Sequence, residues 1–178
     1  MGRIARETAE RSGLVVESLL EKLISAAAAE LSTYYHYAIL AAHSRELGDQ
    51  FLSDVITDIR AEDRVHFDML VRRIYELDGA LPPDLHSFTD LPDRESPSLP
   101  ESHGTLVSLL AESKHRAIAR YTALCELTAG HDQRTHDLLL AIHREEREHQ
   151  AWLAEYLGIP PEPRFHRGFR GHAPYTGA

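Results

Sequence analysis

The amino-acid sequence predicts an all-α fold, a four-helix bundle with a long crossover between its second and third helices. Apolar residues recur every three or four positions through four long segments, as expected of helices with one buried face. Each segment ends close to a glycine, which is typical of helix C-termini. No segment shows the alternating apolar and polar pattern of a strand.

The predicted helices are joined in two pairs by short turns. They cover residues 14–47, 50–78, 105–129 and 133–157. Because the turns near Gly48 and Gly130 are short, each pair is expected to be antiparallel. Residues 80–103 contain five prolines and are long enough to run from one end of a bundle to the other. The chain is therefore divided into an N-terminal arm, the bundle and a C-terminal tail, at residues 1–13, 14–158 and 159–178.

Composition and charge favour a cytoplasmic protein that attracts cations. No stretch of eighteen residues is uncharged and apolar enough to cross a membrane, and the first residues lack the apolar core of a signal peptide. Cys125 is the only cysteine, so no disulfide can form within the chain, which suits a reducing compartment. The formal net charge of −9 disfavours a body that grips nucleic acid.

Two acid–histidine motifs interrupt the apolar faces of the second and fourth helices. Glu146 and His149 are three residues apart and share a helix face, and Asp63 and His66 repeat that spacing. Glu62 lies four residues before His66 and is an alternative to Asp63, which we place first. Such groups are costly to bury in an apolar stripe unless a partner neutralises them, and a metal ion would do so. The repetition of the motif therefore predicts a metal site.

Two further acids, Glu30 and Glu112, are predicted to face inward from the first and third helices. Glu30 and His66 are each 18 positions from the glycine between the first two helices. Glu112 and His149 are 18 and 19 positions from the glycine between the last two. Residues equidistant from the turn of an antiparallel pair lie at the same height, so these positions are expected to meet in one layer.

This layer has the ligand pattern of a dimetal carboxylate bundle, in which two helices each supply one Glu and the other two an acid-x-x-His pair. The predicted ligands are Glu30, Asp63 with Glu62 as its alternative, His66, Glu112, Glu146 and His149. Carboxylate oxygens with a few imidazole nitrogens favour iron or manganese over copper or a structural zinc. Two divalent ions would neutralise four carboxylates.

Several stretches of the chain carry a family signature. Residues 26–35, 62–67 and 72–82 read AAAAELSTYY, EDRVHF and RRIYELDGALP. With the seven-residue spacing of Glu30 and Tyr37, they resemble the Dps-like branch of the ferritin-like superfamily, also called thioferritins. The resemblance implies a dodecameric shell that oxidises Fe(II), preferably with hydrogen peroxide rather than oxygen, stores the iron and protects against oxidative stress.

The same resemblance implies a ferroxidase site of the bacterioferritin type, with two iron ions, or manganese as the alternative, and no haem. Tyr37 would be a nearby hydrogen-bonding or redox residue. The chain departs from the family at two points. Asp63 stands where bacterioferritins have a bridging Glu, and Cys125 lacks the second cysteine of the thioferritin pair. No methionine adjoins residues 62–63, so the haem ligand of bacterioferritins has no counterpart.

Two other functions remain open from the sequence. A dimanganese catalase would use a similar bundle to disproportionate peroxide without storing metal. A DNA-coating protein would use the basic arm and tail, but three arginines against Glu162 give residues 159–178 only about +2, which predicts weak or absent DNA binding.

Overall fold

The computed structural model describes residues 2–89 and 99–158, which form six α-helices and no strand. The helices are α1 Gly2–Arg11, α2 Val16–Glu46, α3 Gln50–Glu76, α4 Leu85–Thr89, α5 His103–Thr128 and α6 Gln133–Tyr156. The all-α prediction is confirmed, and the four long helices begin and end within two residues of their predicted limits. The predicted tail, residues 159–178, lies outside the described chain. None of the described helices is long and apolar enough to cross a membrane.

Side-chain caps fix where three of the long helices begin. Asp49, Ser102 and Asp132 each accept a hydrogen bond from the backbone N–H three residues later, at 2.8, 3.3 and 3.2 Å. Such caps satisfy amides that have no partner inside the helix and each stabilise it by about 1 kcal/mol. Gly48 and Gly130 follow α2 and α5 with φ of +85° and +75°, a left-handed conformation that glycine adopts without strain.

The long helices pack as two hairpins, α2 against α3 and α5 against α6. α5 begins beside the turn between α2 and α3, because His103 Nε2 lies 3.8 Å from the Asp49 carboxylate. Just before α5, the carbonyl oxygen of Pro100 lies 2.7 Å from His43 Nε2 near the end of α2. The chain that leaves the far end of α3 therefore crosses the length of the bundle before α5 begins. This is the predicted crossover; it contains α4, and its residues 90–98 lie outside the described chain.

The N-terminal segment, predicted to be an arm, forms α1 and contacts the bundle at the turn between α5 and α6. The Ser12 hydroxyl donates to the carbonyl oxygen of His131 at 2.6 Å, and His131 Nδ1 lies 2.8 Å from the carbonyl oxygen of Ser12. Ala9 is buried in the core. The division of the chain into arm, bundle and tail stays a prediction.

A polar layer divides the apolar core of the bundle into two clusters. The first cluster includes Leu23, Ile74, Tyr121 and Ile142. The second cluster includes Val55, Leu110, Trp152 and Leu153. The layer between them consists of the buried side chains Glu30, Glu62, Asp63, His66, Lys114, Glu146 and His149. Four helices contribute to it, so the most polar part of the interior lies at the centre of the bundle.

A buried arginine joins α3 to the beginning of α6. Arg73 donates from Nη2 to the Asp132 carboxylate and from Nε to the Thr135 hydroxyl, both at 2.7 Å. A third bond runs from its Nη1 to Glu76 at 3.0 Å. Burial would raise the pKa of Asp132, but the hydrogen bonds from Thr135 and Arg73 outweigh it and hold that pKa below its usual value. Asp132 is therefore both the helix cap and the buried counter-charge of Arg73.

Replacing Asp132→Ala is expected to lower the free energy of unfolding by about 3 kcal/mol, because a cap is lost and a buried cation loses a partner. Chemical denaturation at equal protein concentration measures this change. Because the pKa is depressed in the fold, the contribution is complete above the ordinary value of 3.8 and is lost as the pH falls through the folded pKa. The difference between the two proteins should therefore shrink in acid.

The matched control is Asp137→Ala on the exposed face of α6, which should change the free energy of unfolding by less than about 0.5 kcal/mol. A loss below about 1 kcal/mol for Asp132→Ala would show that Arg73 does not depend on Asp132.

Candidate metal centre

Four side chains of the polar layer converge closely enough to hold one metal ion. Glu30, Asp63, His66 and Glu146 each direct one ligand atom to a common point, and these atoms lie within 4.8 Å of one another. All four residues are buried. The three-residue spacing within α3 puts Asp63 and His66 on one helix face, and apolar clusters on either side of the layer hold the helices that carry them.

His66 turns its Nδ1 toward the other three side chains of the cluster. Its Nε2 lies 2.7 Å from Glu145, whereas its Nδ1 lies 3.4 Å from Glu146 and 3.5 Å from Glu30 without a well-aligned hydrogen bond. A carboxylate behind the ring fixes which nitrogen is free to coordinate. Burial would lower the pKa of His66, but Glu145, Glu146 and Glu30 outweigh it and raise that pKa well above its usual value. The pocket around Nδ1 therefore favours a cation.

His149 is held in the same manner on the other side of the layer. Its Nε2 lies 2.9 Å from Glu62, and its Nδ1 faces inward, 3.5 Å from Glu146 and 4.0 Å from Asp63. Glu62 thus stands behind His149 as Glu145 stands behind His66. The structure places Asp63 inside the cluster and Glu62 behind a ring, although both acids are buried.

The prediction that Glu112 faces inward is wrong. Its side chain is 67% exposed and forms an ion pair with Arg116 at 2.7 Å. Height along the helix does not separate residue 112 from residue 114, which lie about 3 Å apart at about 1.5 Å per residue. The angle around the axis does separate them, because two residues turn the side chain through about 200° and so to the opposite side.

Lys114 of α5 reaches the layer in place of Glu112. Its Nζ lies 3.0 Å from Asp63 Oδ1, 3.1 Å from Glu146 Oε2 and 3.5 Å from His149 Nδ1. Sequence reasoning missed this residue because lysine is rarely buried. The signal was present, since Leu110, Lys114 and Ala117 follow one another at helical spacings of four and three residues.

Two tyrosines flank the layer. The Tyr37 ring lies 5.2 Å from Lys114 Nζ, a cation–π distance, and burial raises the pKa of its phenol to about 12. Tyr121, which was not among the predicted site residues, donates from its hydroxyl to Glu30 Oε1 at 2.5 Å. Burial also raises the pKa of Tyr121 well above its usual value. Both phenols are therefore protonated at neutral pH, and one of them orients a candidate ligand.

The acids of the layer share negative charge unevenly. Burial raises the pKa of Asp63 to about 7, with Lys114 acting against the rise. Burial also opposes ionisation of Glu146, but Lys114, His149 and His66 hold its pKa well below the usual value. The charges of Asp63 and Glu146 raise the pKa of Lys114 well above its usual value in spite of its burial. The layer thus combines buried acids with a built-in cation, Lys114, and the same acids raise the pKa of His66.

The sequence pattern of the ferritin-like domain family matches residues 20–160. The chain belongs to the ferritin-like family. It is also similar to a curated relative from Pyrococcus furiosus called DNA protection during starvation protein. The two are 46% identical over 173 residues, which span 96% of this chain and 94% of the relative. The resemblance to the Dps-like branch is thereby confirmed.

Solved structures of ferritin-like proteins share the fold. The bacterioferritin-related protein from Bacteroides fragilis, described as a dodecameric thioferritin, has a TM-score of 0.80 and 26% identity, covering 88% of this chain and 93% of its own. A point mutant of Dps from Listeria innocua has a TM-score of 0.68 at 20% identity, over 80% and 95% of the two chains. Mycobacterium tuberculosis bacterioferritin BfrA has a TM-score of 0.67 at 18% identity, over 79% and 84%.

The donor set of this ferritin-like chain departs from the dimetal pattern at α5. Ferritin-like dimetal bundles take one Glu from each of two helices and a Glu-x-x-His pair from each of the others. Here α2 supplies Glu30, while α3 and α6 supply an acid-x-x-His pair each, but α5 supplies Lys114. A positively charged lysine side chain therefore lies where the pattern requires a carboxylate.

The unequal placement of Asp63 and Glu62 predicts unequal effects of neutralising them. Asp63→Asn removes a charged ligand and should weaken Co(II) binding by more than about 100-fold, as measured by calorimetric titration. Glu62→Gln removes a carboxylate behind His149 and should weaken binding by about 10–100-fold, the range typical of groups that orient a ligand. Weaker binding by the Glu62 variant than by the Asp63 variant would reverse this assignment.

Proposed function

We propose that this protein is a mini-ferritin that binds Fe(II) in the polar layer, oxidises it and stores the product, protecting the cell against oxidative stress. The observation that carries the proposal is the convergence of Glu30, Asp63, His66 and Glu146 within 4.8 Å in the buried centre of a ferritin-like bundle. Membership of the family supports iron storage. The ferroxidase activity is inferred from the chemistry of the centre, and its oxidant from the resemblance to the Dps-like branch.

The set of ligand atoms suits iron, whose charge rises from +2 to +3 when it is oxidised. Three carboxylates and one imidazole are hard donors with an affinity for Fe(II), and their negative charge favours Fe(III) over Fe(II) because Coulomb attraction grows with the charge of the ion. With hydrogen peroxide as oxidant, two Fe(II) give up two electrons and two protons are consumed, yielding two Fe(III) and two waters. The chain's own contribution is to bind, orient and bury the ion, with Tyr121 holding Glu30.

Storage requires many subunits around an enclosed volume. Large apolar side chains such as Tyr35, Phe51 and Tyr75 are 64%, 55% and 55% exposed on the isolated subunit. Aromatic residues on a surface suit contacts between subunits. The similar protein from Bacteroides fragilis is described as dodecameric. A closed shell of this chain, about twelve copies, is the assembly that we propose.

The two alternatives from the sequence are weaker candidates. A manganese catalase would also use buried carboxylates and histidines, but it would release oxygen from peroxide and retain no growing store of metal. DNA coating draws on the name of the Pyrococcus furiosus relative. In α1, however, Arg3 and Arg6 form ion pairs with Glu7 and Glu10 at 3.0 and 2.8 Å, which lowers the charge offered to phosphates.

Substitution of a cluster acid tests the proposal directly. Glu30→Gln should slow the initial oxidation of Fe(II) by about tenfold or more, because a charged ligand is lost while the shape of the side chain is kept. The rate is measured from the near-ultraviolet absorbance of Fe(III) after peroxide is added to protein preloaded with Fe(II) under argon. Circular dichroism checks that helix content is unchanged.

The matched control is Glu112→Gln, which removes the same charge at an exposed site outside the layer and should leave the rate unchanged. Equal slowing in both variants would contradict the placement of the centre. Oxygen release without iron retention would favour the catalase instead.

Assembly is tested by size-exclusion chromatography with light scattering. A shell should have a mass of about twelve times the 20.1 kDa of the chain. Because mineral growth needs an enclosed volume, a monomer or dimer at working concentration would contradict storage even if Fe(II) oxidation were observed.

A further inference from the structure

We infer that the centre binds one divalent ion per subunit and that the ammonium group of Lys114 occupies the position of the second ion. The inference deepens the proposed function and rests on it, since it concerns how the same centre takes its substrate. With one ion bound at a time, the two electrons that each peroxide requires come from two Fe(II) that are oxidised at the centre one after the other. It begins from the contacts of Lys114, which lie at the ligands that a second ion would need.

The layer contains two cation positions, one on each side of the shared acids. Glu30 and His66 lie on the first side, where the ligand atoms converge. His149 lies on the second side, with its Nδ1 directed inward at 3.5 Å from Glu146. Asp63 and Glu146 stand between the two sides. A dimetal centre would place an ion in each position.

Lys114 Nζ fills the second position. It lies 3.0 Å from Asp63 Oδ1, 3.1 Å from Glu146 Oε2 and 3.5 Å from His149 Nδ1. The ammonium group thus contacts both shared acids, Asp63 and Glu146, and the histidine of the second side, His149. The same three groups would have to surround an ion there, at about 2.0–2.2 Å. The ammonium group and a second ion would then be in contact, and their mutual repulsion in a buried site excludes both being present.

No other residue in the described part of α5 replaces the missing carboxylate. Glu112 points to the outside of the bundle. Glu62 of α3 is directed to the Nε2 side of His149, away from the second position. A second ion would therefore have fewer anionic ligands than the first as well as a cationic neighbour.

Counting tightly bound Co(II) tests the inference with a readout that does not depend on oxidation. Protein stripped of metal is loaded with Co(II) under argon, passed through a desalting column and analysed for cobalt per subunit. The wild type should retain one ion with the electron paramagnetic resonance signal of isolated Co(II). Lys114→Glu should retain two, with a signal weakened by coupling between neighbouring ions.

The chain provides a matched control in Lys22, an exposed lysine of α2. Lys22→Glu makes the same change in charge away from the layer and should leave the count at one. Lys114→Met removes the cation without adding a ligand. Its cobalt should rise above one per subunit, because the repulsion is gone, but stay below two, because no carboxylate replaces the ammonium group. If Lys114→Glu does not fold, a Lys114→Met count that stays at one would contradict the inference.

The outcomes separate the inference from the proposed function. Two tightly bound ions in the wild type would overturn the inference and leave the ferroxidase proposal standing. No tightly bound ion in the wild type would overturn the ferroxidase proposal, and the inference with it. A Lys114→Glu variant that folds and still holds a single ion, with the signal of isolated Co(II), would show that Lys114 does not exclude the second.

Discussion

The structure depends on the neutralisation of acids at the centre of the bundle. Ionised carboxylates lose several kcal/mol of hydration on burial unless a cation or hydrogen-bond donors replace the water. A cation and a hydrogen-bond donor replace the lost water around the layer. Lys114 contacts Asp63 and Glu146, and Tyr121 donates to Glu30. The apolar clusters on both sides then hold four helices in the register that keeps these partners together.

The helices could be predicted closely because their signals are local and repeated. A buried stripe recurs through each long helix, and caps and glycines mark the ends, so the limits agree within two residues. α4 was not predicted, because five residues among prolines carry too short a pattern. For α1, the pairs Arg3–Glu7 and Arg6–Glu10 have the four-residue spacing that is typical of ion pairs within a helix. This signal was not used when the segment was predicted to be an arm.

Within the site, the sequence located the layer but not all of its members. Repetition of the acid–histidine motif and distance from the turns brought α2, α3 and α6 together in the observed place. Distance from the turn failed as a predictor for α5, because it gives the height of a residue along the helix but not the direction of its side chain around the helix axis. Glu112 has a suitable height and the wrong angle, whereas Lys114 has both. The lysine was not predicted because a buried layer of acids was expected to be completed by another acid.

Because the ammonium group of Lys114 is part of the chain, its charge is in place before any metal ion binds. A metal ion that completes a core is present only after it binds, so a core that relies on it forms with the ion or not at all. An ammonium group on the chain is present from synthesis onward. It holds α5 to α3 and α6 before any ion arrives. A centre emptied of metal would therefore keep its shape, as the proposed repeated uptake and release of ions requires.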